Sequence, residues 1–149
     1  MPIGEICTRE VVVVDKHTSI KEAAQLMRRY HVGDIIVVEE KGDKRIPVGI
    51  LTDRDIVVEI IAEEVNPEKL TVADVMSFEL ATVREQDGVW ETIEFMHSKG
   101  VRRLPVLAAD GTLAGIVTVD DLLELLSGEL NALAGTVRRE QIRETRARR

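Results

Sequence analysis

Gly49-Ile50-Leu51-Thr52-Asp53-Arg54-Asp55 and Gly115-Ile116-Val117-Thr118-Val119-Asp120-Asp121 are the two stretches on which the reading of this chain turns. Glycine, isoleucine, threonine and aspartate coincide at four of the seven places. Upstream of them, residues 3–38 lie over 72–107 at a constant offset of 69. Ile6 falls on Val75, Val14 on Val83, Ile20 on Val89, Met27 on Met96, Val32 on Val101 and Val37 on Val106. The first copy then carries three extra residues within Glu39–Arg45, where the second turns through Ala109-Asp110-Gly111, and the register resumes at an offset of 66. Self-similarity at a fixed spacing marks a duplicated structural unit.

The order of elements is the same in both copies. Val11–Val14 and Leu80–Val83 read as short strands. Ile20, Ala23, Ala24 and Met27 make a helical stripe, repeated by Val89, Ile93 and Met96. Ile35–Val38 and Leu104–Leu107 are apolar runs of strand length, each joined through a glycine-containing turn to Val48–Leu51 or Leu113–Val117, so each pair predicts a hairpin. A last helix starts after Thr52 or Thr118, with Ile56, Val57, Ile60 and Ile61, or Leu122, Leu123, Leu125 and Leu126, expected to face inward. The expected fold class is α+β: two β-α-β-β-α repeats packed about a pseudo-twofold axis, since one such unit buries too little surface to stand alone.

On this reading residues 1–64 are the first repeat, 65–71 a polar connector broken by Pro67, and 72–127 the second repeat. Residues 128–149 form a basic tail, helical or disordered, in which Leu130 and Leu133 suggest that the last helix continues or restarts after Gly128. Its last stretch, residues 138–149, holds six arginines against two glutamates, a balance of +4. The chain carries −7, so the remainder carries −11 (−7 less +4). An acidic body and 3% aromatic residues argue against general nucleic-acid binding, which needs a basic face and stacking surfaces. No apolar run is long enough for a membrane span, the N-terminus lacks a signal-peptide pattern, and one cysteine, Cys7, excludes an internal disulfide. The expected location is cytoplasmic.

Thr52 and Thr118 stand where a strand gives way to a helix. As N-caps, their hydroxyls would accept hydrogen bonds from the helix's first free N–H groups, with Asp55 and Asp121 completing capping boxes. The same corner suits a ligand. A carboxylate at a helix start can accept hydrogen bonds from both vicinal ribose hydroxyls, and the preceding glycine would let a ligand approach the backbone. Apolar strands would offer a slot for a flat base, and a helix N-terminus or an arginine would suit phosphate. Capping and binding are compatible.

With Asp74-Val75-Met76-Ser77 and Gly100-Val101-Arg102-Arg103-Leu104-Pro105-Val106 added to the two Gly-x-x-Thr-x-x-Asp segments, residues 3–127 resemble a tandem pair of cystathionine-β-synthase (CBS) domains, a Bateman module. The resemblance implies a non-enzymatic regulatory module that binds an adenine nucleotide or relative (AMP, ADP, ATP, NAD or S-adenosylmethionine) in clefts between the repeats. It further implies a homodimer and signalling to an unidentified effector protein. Thr52, Asp55, Thr118 and Asp121 would hold ribose; Arg102, Arg103 and Arg54 would serve phosphate; Ile35, Ile36, Pro105 and Ile116 would flank the base. The first copy departs from the pattern, with Gly33-Asp34 where the second has Arg102-Arg103. A carboxylate there repels phosphate unless Arg54 or a residue across the cleft compensates, so the clefts are expected to be unequal.

Other candidates carry less. His17, His31 and His97 share no metal-binding spacing, Cys7 lacks a basic neighbourhood, and no phosphate loop, nucleophile elbow or zinc-protease helix is present. Trp90 suits an interface better than a ligand. The alternatives to a sensor are a ligand-free dimerisation scaffold, packed through the faces around Ile60, Ile61, Leu125 and Leu126, and nucleic-acid docking by the arginine tail.

Overall fold

A computed structural model describes residues 1–148; Arg149, the last of the tail arginines, lies outside the described residues. The first repeat runs β1 (Val13–Val14), α1 (Ile20–Tyr30), β2 (Asp34–Lys41), β3 (Lys44–Thr52) and α2 (Asp53–Asp55), which passes into a π-helical stretch, Ile56–Ile61. A 3-10 turn at Pro67–Lys69 and the short α3 (Val72–Val75) lead into the second repeat. That repeat is β4 (Val83–Arg84), α4 (Val89–Lys99), β5 (Arg103–Leu107), β6 (Leu113–Thr118) and α5 (Val119–Ala147). The fold is α+β with two copies of β-α-β-β-α. The first strands are shorter than the apolar runs suggested, two residues each.

Each sheet has three strands, a parallel first pair and an antiparallel hairpin. Val14 pairs with Val37 and Val83 with Val106, preserving the offset of 69. Both hairpins carry an irregularity at the same place, after Val37 and after Val106. α1 is capped by Ser19, whose Oγ accepts from the Glu22 N–H at 3.1 Å. It ends at His31 in the left-handed conformation, φ 54°, where the second copy has Gly100, φ 66°.

The repeats exchange their leading segments. Ile3 is fully buried, and it lies in the core of the second repeat with Val83, Val89, Leu104 and Val117. Reciprocally, Val72 and Met76 lie in the core of the first repeat with Ile20, Val37, Leu51 and Ile60. Backbone pairing follows the same symmetry: Thr8 exchanges two 2.9 Å hydrogen bonds with Ile116, and Ser77 pairs with Ile50 at 3.0 and 3.4 Å. Thr8 and Ser77 are equivalent under the offset of 69, as are Ile50 and Ile116 under 66. In space, therefore, residues 2–8 pack on the second sheet and 70–77 on the first, across the sequence order of the repeats. A third cluster, Ile36, Val38 and Ile116, joins the two sheets directly.

Glycines 49 and 115 exist for this exchange. A Cβ on Gly49 would lie 2.7 Å from Met76 Sδ and 3.0 Å from the Ser77 carbonyl. One on Gly115 would lie 2.6 Å from the Thr8 carbonyl and 2.9 Å from Cys7 Sγ. This corrects the expectation that the motif glycine clears space for a ligand: the crossing segment fills that space. It also explains why Cys7 and Met76 are interchangeable, since each lies over the glycine of the other repeat.

The closing helices differ from expectation on one side. Ile60 and Leu122 are buried, but Val57, Ile61 and Leu123 are exposed. Ile60, and in part Ile56 four residues before it, pack on the first core, while Val57 and Ile61, each one residue further on, face solvent. Ile60 therefore cannot contribute to a dimer face. α5 runs unbroken through Gly128 and Gly135 to Ala147.

Ile3→Ala should destabilise the protein as a core truncation does, by about 2–5 kcal/mol. Gly115→Ala should cost about 1–3 kcal/mol through overpacking against a backbone carbonyl. Urea unfolding of each variant checks both; a loss under 0.5 kcal/mol for Ile3→Ala (about the size of a surface substitution) would contradict the exchange.

Candidate functional site

Two corners are built alike. Thr52 Oγ1 accepts from the Asp55 N–H at 3.1 Å while Asp55 Oδ2 accepts from the Thr52 N–H at 2.9 Å. Thr118 Oγ1 accepts from the Asp121 N–H at 3.2 Å, and Asp121 Oδ2 accepts from the Thr118 N–H at 2.9 Å. Both are complete capping boxes, each satisfying two otherwise free N–H groups. The cap uses only Oδ2 of each aspartate. Oδ1 remains for a second acceptor role, and all four residues are half-buried at the surface.

The strand ladders bring a further residue to each corner. Asp34 pairs with Thr52, and Arg103 with Thr118. These two side chains then meet across the repeats, with Arg103 Nε 3.4 Å from Asp34 Oδ1. The compensating cation for Asp34 is thus Arg103, and not Arg54, which is exposed on α2. Arg102 is exposed and lies 4.0 Å from Asp120. Burial raises the Asp34 carboxyl above its ordinary value of 3.8, the Arg103 charge opposes that shift, and the Asp53 charge adds to it. Arg103 Nε is buried and lacks a well-formed hydrogen bond. The pair is close enough to attract but not to satisfy both partners.

The four residues expected to flank a base divide differently. Ile36 and Ile116 do face the neighbouring repeat, but they pack on each other and are covered. Pro105 is buried opposite Ile116 in the ladder. Ile35 points the other way, into the first core with Leu51 and Val14. Alternation along β2 is the reason: residues 35 and 37 face the helices, 36 and 38 the second sheet. Ile35 is corrected to a core residue.

Open space lies instead beside the segments that precede the first strands. One hollow of about 570 Å³ is bounded by Glu10, Val11, Val12, Leu26, Tyr30 and Val32. Its equivalent, about 610 Å³, is bounded by Glu79, Leu80, Ala81, Phe95, Lys99 and Val101. Each ends two residues before Asp34 or Arg103. The offset of 69 relates these residues one by one, and Val12 and Leu26 also pack against the first core as Ala81, Phe95 and Val101 do against the second.

Among the described residues no cluster of three metal-ligating side chains occurs, and no helix is long and apolar enough to cross a membrane. Cys7 is packed under Gly115, and burial raises its thiol above the ordinary range, so it has none of the activation of a nucleophile.

The CBS domain family model matches residues 3–62 and 72–128. The chain belongs to the CBS domain family. An uncharacterized protein of Methanopyrus kandleri is 36% identical over 123 residues, which is 83% of this chain and 61% of that relative. The chain thus spans under two thirds of that relative's length. YlbB, an uncharacterized protein of Bacillus subtilis, is 37% identical over 135 residues, covering 90% of this chain and 86% of YlbB. Among solved structures, a CBS domain pair in complex with 5′-methylthioadenosine and S-adenosyl-L-methionine superposes with a TM-score of 0.75 at 25% identity, covering 87% of this chain and 98% of that one. Adenosyl ligands therefore bind a protein of this fold.

Because burial raises the Asp34 carboxyl, the folded state holds its proton more tightly than the unfolded chain. Between 3.8 and the raised value the folded state binds more protons, so the group's effect on stability worsens as pH rises through that window. Asp34→Asn should therefore gain in urea midpoint relative to wild type between pH 4 and pH 7 (roughly the window above an ordinary carboxylate). A constant difference across that range would show that the ion pair cancels the effect of burial, and a falling one that it outweighs it.

Proposed function

We propose that this CBS pair is a non-catalytic regulatory module that binds an adenosyl ligand between its repeats and reports occupancy to a partner protein in the cytoplasm. The observation carrying this reading is the doubled capping box whose aspartates keep Oδ1 free beside a half-buried Arg103. Asp55 and Asp121 would each accept hydrogen bonds from ribose hydroxyls through that oxygen, with Thr52 and Thr118 fixing the carboxylate. The hollows beside Val11–Val12 and Leu80–Ala81 are wide enough for the base. The methylthioadenosine and S-adenosylmethionine complex of a similar fold supports the ligand class.

Charge makes the two clefts different. Asp34 and Asp53 stand beside the first corner, while Arg102 and Arg103 stand beside the second. A phosphate at the second would draw Arg103 from Asp34; one at the first would face two carboxylates. Adenosyl ligands without phosphate, such as methylthioadenosine, or with a positive sulfonium suit the first cleft, and AMP, ADP, ATP or NAD suit only the second. A ligand shifts the arrangement of the repeats only as far as it prefers one arrangement over another, and the Asp34–Arg103 pair gives it such a preference.

Thermal unfolding with methylthioadenosine, S-adenosylmethionine, AMP, ADP, ATP and NAD tests the reading. A ligand at 100 times its dissociation constant adds about 2.7 kcal/mol of stability. Asp121→Asn, which keeps a cap acceptor, should weaken the bound nucleotide at least tenfold with little change in the ligand-free melting temperature. If none of the six stabilises the wild type, the chain is a scaffold whose Thr-Asp pairs only cap helices. Asp34→Asn should raise the affinity for AMP several-fold and leave methylthioadenosine unchanged in calorimetry; equal effects on both would remove the charge argument.

A further inference from the structure

From the N-terminus of α5, Val119, Leu123, Leu126, Leu130, Leu133 and Val137 follow one another at spacings of 4, 3, 4, 3 and 4. This is the alternation of a coiled-coil seam, and over two turns of the pattern it is unbroken. Four of these side chains are largely open to solvent: Leu123 is 59% exposed, Leu130 68%, Leu133 66% and Val137 55%. Beyond Leu126, α5 leaves the body of the protein, and every residue of 127–148 is exposed except the half-buried Gly135. A projecting helix holding Gly128 and Gly135 has poor intrinsic propensity and needs a packing partner.

We propose that α5 pairs antiparallel with α5 of a second copy of this chain. Two features choose this occupant and this direction. The first is symmetry: the order Val-Leu-Leu-Leu-Leu-Val and its spacings read the same in both directions about residue 128. An antiparallel pair crossing there stacks Val119 on Val137 of the other copy, Leu123 on Leu133 and Leu126 on Leu130, so all six layers are apolar. The second is charge. The first half of α5 carries Asp120, Asp121, Glu124 and Glu129 without a basic residue, and the second half carries Arg138, Arg139, Arg143 and Arg146 against Glu140 and Glu144. Antiparallel pairing lays the basic half of one helix toward the acidic start of the other. Parallel pairing would put like charges side by side along the whole seam.

The body of the protein already holds a receptacle. Ile93 and Met96 of α4, with Val119, Leu122, Leu123 and Leu126 of α5, line an apolar groove of about 330 Å³. In the antiparallel register the groove receives Leu130, Leu133 and Val137 of the second copy. Two such grooves are filled at once, one on each protomer, as a twofold interface requires. The same register brings Arg138 and Arg139 within a turn of Asp120 and Asp121 of the other copy, next to the second Thr-Asp corner. The pairing itself does not depend on ligand binding.

Light scattering on the full chain gives the mass, and disulfide trapping gives the direction. On a Cys7→Ser background, Leu123→Cys and Leu133→Cys should each remain uncrosslinked alone, and their mixture should form a mixed disulfide on oxidation. Leu130→Asp should convert a dimer to a monomer while the circular dichroism of the two repeats and their cooperative unfolding persist. A wild-type monomer at tens of micromolar overturns the proposal. So does a dimer that survives Leu130→Asp, or a disulfide formed by either single-cysteine variant alone, which marks parallel pairing.

Discussion

Neither repeat is complete without the short segment that precedes the other. Ile3 fills the second core and Val72 the first, both fully buried, and each brings about 1.5–3 kcal/mol of apolar burial to the sheet across the interface. The backbone ladders from Thr8 to Ile116 and from Ser77 to Ile50 hold those segments in place. Gly49 and Gly115 are the points of closest approach, and the rest of each motif follows from them. Two residues after the glycine the strand turns inward, and at the third the threonine ends it and caps a helix. The position of the Thr-Asp corner is therefore tied to the exchange between repeats. A ligand at that corner would sense the relation between the two units, because the same strand carries both contacts.

The Asp34–Arg103 pair lies at the open end of the hairpins, opposite Thr52 and Thr118 in the ladders, and breaks the symmetry that the exchange imposes. The isolated backbone bridges at the crossings have equivalents under the offset of 69: Pro2 and Thr71, Thr8 and Ser77, Gly88 and Ser19. At the strand starts, one repeat supplies a carboxylate and the other a guanidinium, and they neutralise each other incompletely. A symmetric frame with one asymmetric ion pair at its centre is suited to two clefts of unlike preference. The frame sets where a ligand can bind, and the pair sets which charge it can carry.

Much of the fold was legible because duplication doubles every signal. The stripes around Ile20 and Val89, the hairpins and the Thr-Asp corners were each visible twice at a constant spacing. The exchange was not legible, since Ile3 and Val72 fall at equivalent places whether each packs on its own repeat or on the other. The purpose of Gly49 and Gly115 was misread for the same reason: a glycine marks close approach, and only the structure shows that Met76 and Cys7 make it. Val57 and Ile61 are exposed because the core-facing stripe of that helix is narrower than its apolar run, and only Ile60 and in part Ile56 reach the core. At the candidate site, Thr52, Asp55, Thr118 and Asp121 came together as expected from their spacing. Ile35 did not, because two adjacent residues of one strand cannot both face the same side.

That each Thr-Asp corner is an adenosyl site as well as a cap is the claim on which the function rests. A crystal structure of the protein grown with 5′-methylthioadenosine tests it most directly. The expected result is a ribose whose hydroxyls lie within hydrogen-bond distance of Oδ1 of Asp55 or Asp121, with the base in the adjoining hollow. A ligand bound elsewhere, or corners left unoccupied at saturating concentration, would contradict it.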